Sequence, residues 1–218
     1  MMKLSNYNGN PFIGVYCVAN ESISLVPPDA PQNLIRDIEE GLEVKVLIAT
    51  LDSCNILGSL TAMNSYGALT SSMALLSELR PIMKELPIKR IKDNLNACGN
   101  NILVNDNAAL VNPDLSAAAV KQIEDILQVE VVQGMIAGNR TVGSICVATN
   151  KGVLCHPSTS KAELDMIRAL FKVPAAIGTL NYGAPVLGAS MIANSKGAAI
   201  GYRSTPIELG RVEDALGF

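Results

Sequence analysis

The sequence predicts an α/β fold in which five ββαβ repeats of roughly 44 residues close into a ring. Three observations predict it: a recurring column of glycines, a gap-free set of offsets behind each glycine, and a segment missing from the last repeat but present at the chain's other end. The glycines are Gly14, Gly58, Gly99, Gly143 and Gly188, at steps of 44, 41, 44 and 45 residues. Six positions after them stand Asn20, Asn64, Asn105, Thr149 and Asn194, and three further on Ile23, Gly67, Ala108, Gly152 and Gly197. Eight after the Asn column come Pro28, Ser72, Pro113, Pro157 and Tyr202, and fourteen after it Leu34, Glu78, Ala119, Glu163 and Glu208. Agreement in several columns at once argues against chance, although the first and third repeats are the most degenerate.

Each repeat has a physical reading. The run after the glycine (GVYCVA, GSLTAM, GSICVA, GASMIA) is apolar and rich in small residues, as a buried strand requires. The Asn-x-x-Gly segment then turns the chain, with Asn bonding its own backbone and Gly supplying positive φ. A second apolar run (SISLV, ALTSS, AALV, VLC, AAIGY) completes a hairpin. A helix follows. Ser160 with Glu163 and Thr205 with Glu208 are spaced as capping boxes, Pro31 and Pro206 sit where a first-turn proline is tolerated, and Leu164, Ile167, Leu170 and Phe171 have helical spacing. Third strands are expected at Val44–Leu47, Ile88–Ile91, Val129–Val132 and Ala175–Ile177.

The fifth repeat stops after its helix, at Phe218, while Lys3–Ser5 precede Gly14 by the distance expected of a third strand. The N-terminal strand is therefore expected to complete the fifth unit and lock the ring, which protects strand edges. Small residues in the first strands fit crowding at an axis. The chain reads as a single domain, 1-218, with repeats at about 9-51, 52-94, 95-138, 139-183 and 184-218 plus 1-8.

Composition narrows the function. Hydrophobic residues make up 49%, charged residues 17%, and the net charge is −3. That balance counts against a general DNA or RNA binder, which needs clustered cations to displace counterions. The densest basic group, Lys84, Lys89, Arg90 and Lys92, is interrupted by Glu85 and Asp93 and reads as a solvated rim. Five cysteines without a C-x-x-C pair, and no basic-then-apolar leader, point to a reducing cytoplasm, so the sequons at Asn20 and Asn139 are chance matches. The uncharged stretch Val173–Ser195 is long enough to span a bilayer, but its prolines, glycines and asparagines mark strands and loops. No nucleotide-cradling motif and no paired His or Cys ligands are present, so neither cofactor nor metal is expected.

Five such units in this order resemble the translation initiation factor 6 family of archaea and eukaryotes. The likeness runs from Asn10 to Phe218 and is carried by NPFIGV, ILGSLTAMNSYGAL, GNNILVNDNAALVNPDL, VGSICVATNKGVLCHP, IANSKGAAIG and ELGRVEDALG. It implies a pentein, a five-bladed α/β propeller with pseudo-fivefold symmetry. It further implies a binding factor rather than an enzyme. Family members seat on the intersubunit face of the large ribosomal subunit, on a ribosomal protein near the sarcin–ricin loop with minor rRNA contact, and sterically prevent small-subunit joining. Eukaryotic members also act in large-subunit maturation and carry a C-terminal tail. A chain ending at Phe218 resembles the archaeal members, and because a ring closed on itself leaves no obligatory edge for oligomers, a monomer is expected. Family contacts fall in the loops leading into each first strand, which here are Asn10, Pro11 and Gly14; Asn55 and Ser59; Gly99, Asn100 and Asn101; Asn139 and Arg140; and Asn181, Tyr182 and Val186. Asn100 matches the family's G-N directly, whereas Ser59 stands where eukaryotic members have a basic residue. Each loop Asn has a plainer alternative role, as a turn residue bonding its own backbone.

Penteins also include enzymes that modify guanidino groups with a Cys nucleophile, a His and acidic residues around the axis. Here the one histidine, His156, adjoins Cys155, whose side chain is expected on the opposite strand face. Cys17 and Cys146 share a repeat column and read as packing, while Cys54 and Cys98 read as loop residues.

Overall fold

The computed structural model describes all 218 residues. Strand β1 (Met2–Ser5) comes first, and five similar units follow. In chain order they are α1 (Ile13–Tyr16), β2 (Val18–Ala19), β3 (Ile23–Val26), α2 (Gln32–Leu42) and β4 (Lys45–Ile48); α3 (Leu57–Leu60), β5 (Ala62–Met63), β6 (Ala68–Thr70), α4 (Leu76–Ile82) and β7 (Ile88–Arg90); α5 (Cys98–Asn101), β8 (Ile102–Val104), β9 (Ala108–Val111), α6 (Ala117–Leu127) and β10 (Glu130–Gln133); α7 (Val142–Ile145), β11 (Val147–Ala148), β12 (Val153–Cys155), α8 (Lys161–Phe171) and β13 (Ala175–Ile177); and α9 (Leu187–Ser190), β14 (Met191–Ala193), β15 (Ala198–Gly201) and α10 (Pro206–Leu216). The strands form five three-stranded sheets, and in each the middle strand pairs antiparallel with the first and parallel with the third. As expected, β1 fills the place the last unit lacks: Met2 stands opposite Ala198 and Ser5 opposite Gly201 on β15.

The first strands are shorter than the sequence suggests. Each glycine of the column sits in a single helical turn, and only two or three residues after that turn pair as strand. The glycine in each turn is required by contact between neighbouring units. A Cβ on Gly58 would stand 2.0 Å from the Gly14 carbonyl oxygen; one on Gly99, 1.8 Å from that of Gly58; one on Gly143, 2.1 Å from that of Gly99; one on Gly188, 1.9 Å from that of Gly143; and one on Gly14, 2.0 Å from that of Gly188. Real Cβ atoms do not approach an oxygen so closely, so only glycine fits. The series ends where it began.

A second correction concerns the hairpin turns. Gly67, Gly152 and Gly197 do not have positive φ. They lie against backbone of a neighbouring unit: added Cβ atoms would meet the carbonyl oxygen of Ile126 at 2.4 Å, of Ala215 at 1.9 Å and of Gly41 at 2.3 Å. The preceding polar residue behaves as expected and does more. The Asn20 carboxamide oxygen accepts from the Ser22 and Ile23 N–H groups, while its Nδ2 donates to the Asn64 carbonyl at 2.8 Å. Asn64 reaches the Asn105 carbonyl in the same way, Asn105 that of Thr149, and Asn194 that of Asn20. Thr149 has no amide to pass on, and its hydroxyl serves only its own turn.

Five cores occupy the seams between units. Ile23 and Leu25 of the first sheet pack with Leu79 and Ile82 of α4; Ala62 and Leu69 with Ala119 and Ile123 of α6; Leu103 and Leu110 with Ile167 and Phe171 of α8; Val147 and Leu154 with Val212 of α10; and Ile192 and Ala199 with Leu34 and Ile38 of α2. Each long helix therefore presents an apolar face to the preceding sheet, and burying each such side chain contributes about 1.5–3 kcal/mol. Both predicted capping boxes form. Ser160 and Thr205 accept from the N–H groups of Glu163 and Glu208, whose carboxylates return the bond. Pro206 opens α10, but Pro31 is the residue before α2 rather than within its first turn. Cys98 is buried at the start of α5, not in a loop, and Cys54 is exposed in one. No helix is long and apolar enough to cross a membrane, and Val173–Ser195 contains β13, a loop, α9 and β14.

Candidate binding face

Five lead-in loops, residues 6-12, 49-56, 91-97, 134-141 and 178-186, run from a third strand into a helical turn. The Asn-x-x-Gly turns lie at the other end of the first strands, so the lead-in loops share one end of the molecule. Four are tight hairpins closed by bridges between Tyr7 and Asn10, Leu51 and Cys54, Ile136 and Asn139, and Leu180 and Ala184. Left-handed backbone makes these corners possible, at Asn8, Asp52, Ser53, Ala137, Asn181 and Tyr182 among non-glycine residues. The 91-97 loop has neither a bridge nor a left-handed residue.

The carboxylates of the fourteenth column pin three of the loops. Glu78 accepts from the Asp52 and Ser53 N–H groups, Glu163 from Ala137, and Glu208 from Tyr182 and Gly183. Glu163 and Glu208 also cap their helices, whereas Glu78 makes half a box with the Leu75 N–H, because leucine offers no acceptor. Partial burial disfavours ionisation of all three, but hydrogen bonds outweigh it, led by the Leu75 N–H for Glu78, the Ser160 hydroxyl for Glu163 and the Thr205 N–H for Glu208. Each carboxyl is held below its ordinary range. Asp93 does the same in the 91-97 loop, where its bonds from Leu95 and Ser116 overcome partial burial. In the first loop Asp29 accepts from Tyr7 and Asn55, and Tyr7 stacks on Tyr16 with ring centroids 3.8 Å apart.

The predicted contact residues divide into those spent internally and those left free. Gly14 is buried at the glycine column. Asn101 is buried too: it donates to the Ala97 carbonyl and accepts from Asn112. Asn181 is buried and ties its loop to the Pro11 carbonyl at 3.1 Å. These three hold the face together and do not present side chains on it. Asn10 bonds Phe12 and Tyr16, and Asn139 bonds the Ala137 carbonyl, so the plain turn role accounts for both. Asn55 is bound to Asp29, and Arg140 pairs with Asp114. The Asn100 amide, the Ser59 hydroxyl and the Tyr182 hydroxyl bond to nothing in the chain, and Tyr182 is 83% exposed. Gly99, Asn100 and Ser59 stand in helical turns, Val186 directly precedes one, and Pro11 and Val186 are half-buried. The pinning role of Glu78, Glu163 and Glu208 goes beyond the sequence reading, which took Glu163 and Glu208 as caps alone; their shared column was the available signal.

The axis holds a cavity of about 110 Å³ lined by small residues and first-strand side chains of all five units, including Cys17 and Cys146 but no carboxylate and no histidine. Burial pushes the Cys17 thiol up to about 12, the reverse of nucleophile activation. His156 lies outside the cavity, where its Nδ1 accepts from the Ser158 N–H.

With this geometry in hand, comparison with known proteins gives a clear result. The eIF-6 family profile matches residues 2–215. The chain belongs to the eIF-6 family. Relatives named translation initiation factor 6 match along the whole length: 40% identity with that of Methanococcoides burtonii over 218 residues (100% of each chain), 38% with that of Methanosarcina mazei over 218 residues (100% of this chain, 99% of the relative), and 34% with that of Thermoplasma acidophilum over 216 residues (99% and 100%). Among solved structures, the N-terminal domain of ArgZ is similar at a TM-score of 0.48 and 11% identity, over 80% of this chain and 70% of that one.

Proposed function

We propose that this eIF-6 family chain acts as its relatives' name states, as a translation initiation factor. In this reading its lead-in loop face seats on the large ribosomal subunit and its bulk keeps the small subunit away. The observation that carries the reading is full-length family membership, residues 2–215. The unspent polar groups of Asn100, Ser59 and Tyr182 on one end support it, because free donors and acceptors are what a partner can use. The partner surface is a ribosomal protein near the sarcin–ricin loop, with minor rRNA contact. A mainly protein–protein contact fits a net charge of −3 and a face built of amides, hydroxyls and a tyrosine. A part in large-subunit maturation follows from the same contact.

The fold we assign is a single-domain, closed five-bladed propeller of the pentein type, acting as a monomer in the cytoplasm. Its support is threefold: the glycine contacts, the inter-unit cores and the β1–β15 pairing each link the fifth unit to the first. We assign no catalysis, since the axial cavity holds no histidine, its buried thiols are not activated, and the carboxylates beyond its Asn-turn end, Glu21 and Asp106, are bonded to Ser195, Asn150 and Ser65. Co-sedimentation with purified large subunits tests the function. The chain is expected in the subunit pellet at moderate salt and, when added first, to reduce formation of joined ribosomes. Recovery in the supernatant would sink the proposal.

A further inference from the structure

Exposed apolar side chains gather at one place on the outer rim. Met73, Leu75, Leu76 and Met83, each more than half exposed, sit on α4 and the residues that flank it. Helix α4 has 7 residues where α2, α6, α8 and α10 have 11, and Pro81 lies inside it. Leu76, Leu79 and Met83 follow helical spacing and form one stripe. Its middle is buried and both its ends are open. A groove of about 520 Å³ runs between this stripe and β7, and Gln122 of α6 forms part of its wall.

The rim of this groove is charged in one sense. Lys89, Arg90 and Lys92 line the groove and Arg80 and Lys84 belong to the same stretch, 80–93, whose two acids are both engaged: Glu85 by Lys45 at 2.7 Å, and Asp93 by the Leu95 and Ser116 N–H groups. The molecule's four ion pairs use none of these five cations, and all five are exposed. A chain of net charge −3 thus surrounds an apolar groove with unpaired positive charge. The strand edge beside it is blocked. Gln122 donates to the Arg90 carbonyl at 2.8 Å and accepts from the Lys92 N–H at 2.9 Å, so an incoming strand has no free ladder there.

We propose that this groove docks an acidic amphipathic helix of another polypeptide. The helix lays its apolar stripe on Leu76 and Met83, where a thioether adapts to different shapes, and its carboxylates meet Lys89, Arg90 and Lys92. Single-stranded RNA is a poorer match, since the groove has no aromatic side chain on which a base can stack. A second copy in a two-fold contact would bring the same five cations face to face. The proposal stands apart from the ribosome reading.

The test uses the full chain and a labelled, end-blocked peptide of about 14 residues, four turns of helix, built from Leu and Glu at amphipathic spacing. Anisotropy should show saturable binding that weakens with salt, while a peptide with Lys for Glu should not bind. Lys89→Glu with Arg90→Glu, and separately Met83→Ser, should each weaken binding by about tenfold or more with an unchanged melting curve, because the changed side chains are exposed. Wild-type affinity in both variants overturns the proposal. So does a single-stranded RNA oligonucleotide that displaces the peptide, or a dimer by ultracentrifugation that the charge reversal dissolves.

Discussion

Asn100 and Asn101 are chemically the same side chain on adjacent residues, yet one is free and the other is used up. Asn112, on the strand-end turn after β9, donates to the Asn101 amide oxygen at 2.8 Å, and nothing comparable reaches Asn100. A large cation at position 100 should therefore leave the fold intact and spoil only a contact surface. Asn100→Arg is expected to weaken large-subunit co-sedimentation by about tenfold or more with an unchanged circular dichroism melt; wild-type binding would remove Asn100 from the interface. The carboxylates give a second residue-scale prediction. Glu78, Asp93, Glu163 and Glu208 are held below their ordinary range by hydrogen bonds, so folding favours their ionised form. Their contribution is fully present above the ordinary carboxylate range and is lost as pH falls through the folded-state values. The thermal midpoint should be flat near neutrality and drop below about pH 5. Glu163→Gln with Glu208→Gln should lower the neutral midpoint and flatten the acid limb; an acid limb as steep as that of the wild type would exclude these two as its source.

At the scale of elements, much was legible because the signals are local or periodic. Ser160 and Glu163 declare a helix start within four residues, and Ile167, Leu170 and Phe171 mark the face that α8 buries. The pairing of β1 was legible for a different reason: one unit lacked a strand and one end of the chain had one to spare. The helical turns were not legible. GVYC reads as strand by composition, and the atom that makes its glycine necessary, the carbonyl oxygen of Gly188, is far away in sequence. Gly67 was misread for the same reason, since the Ile126 carbonyl rather than a positive φ excludes a side chain there. The site was less legible than the fold, because whether an Asn side chain is free depends on partners such as Asn112 or the Pro11 carbonyl from other segments. The paired edge of β15 gives the element-scale prediction. Removing Met1–Asn8 uncovers Ala198–Gly201 and should lower the thermal midpoint by several degrees; an unchanged midpoint would mean that β1 contributes nothing to the fifth sheet.

Across the whole molecule, the glycine column is the tightest constraint. Gly99→Ala forces a methyl to within 1.8 Å of the Gly58 carbonyl oxygen, backbone on both sides, and overpacking of this kind should cost about 3 kcal/mol or more. Gly210→Ala in α10 is the control. No atom lies within 4 Å of the added Cβ, and replacing a mid-helix glycine should add about 0.5–1 kcal/mol of stability. Denaturant melts of the two variants should move in opposite directions, and a Gly99→Ala variant as stable as the wild type would mean that the five turns need not touch.

The β1–β15 pairing also bears on how the chain is made. Met1 donates to the carbonyl of Lys196, 195 residues away, so a strand made early pairs with one made much later. During translation β1 has no partner until most of the sequence has left the exit tunnel, whereas each seam between consecutive units can form as soon as its helix appears. In the closed ring we propose, the nascent chain is an arc that grows seam by seam, with Leu34 and Ile38 of α2 waiting for β14 and β15. Completion is a late step, and until it occurs the two ends of that arc are the surfaces most open to a chaperone or to mispairing with another copy.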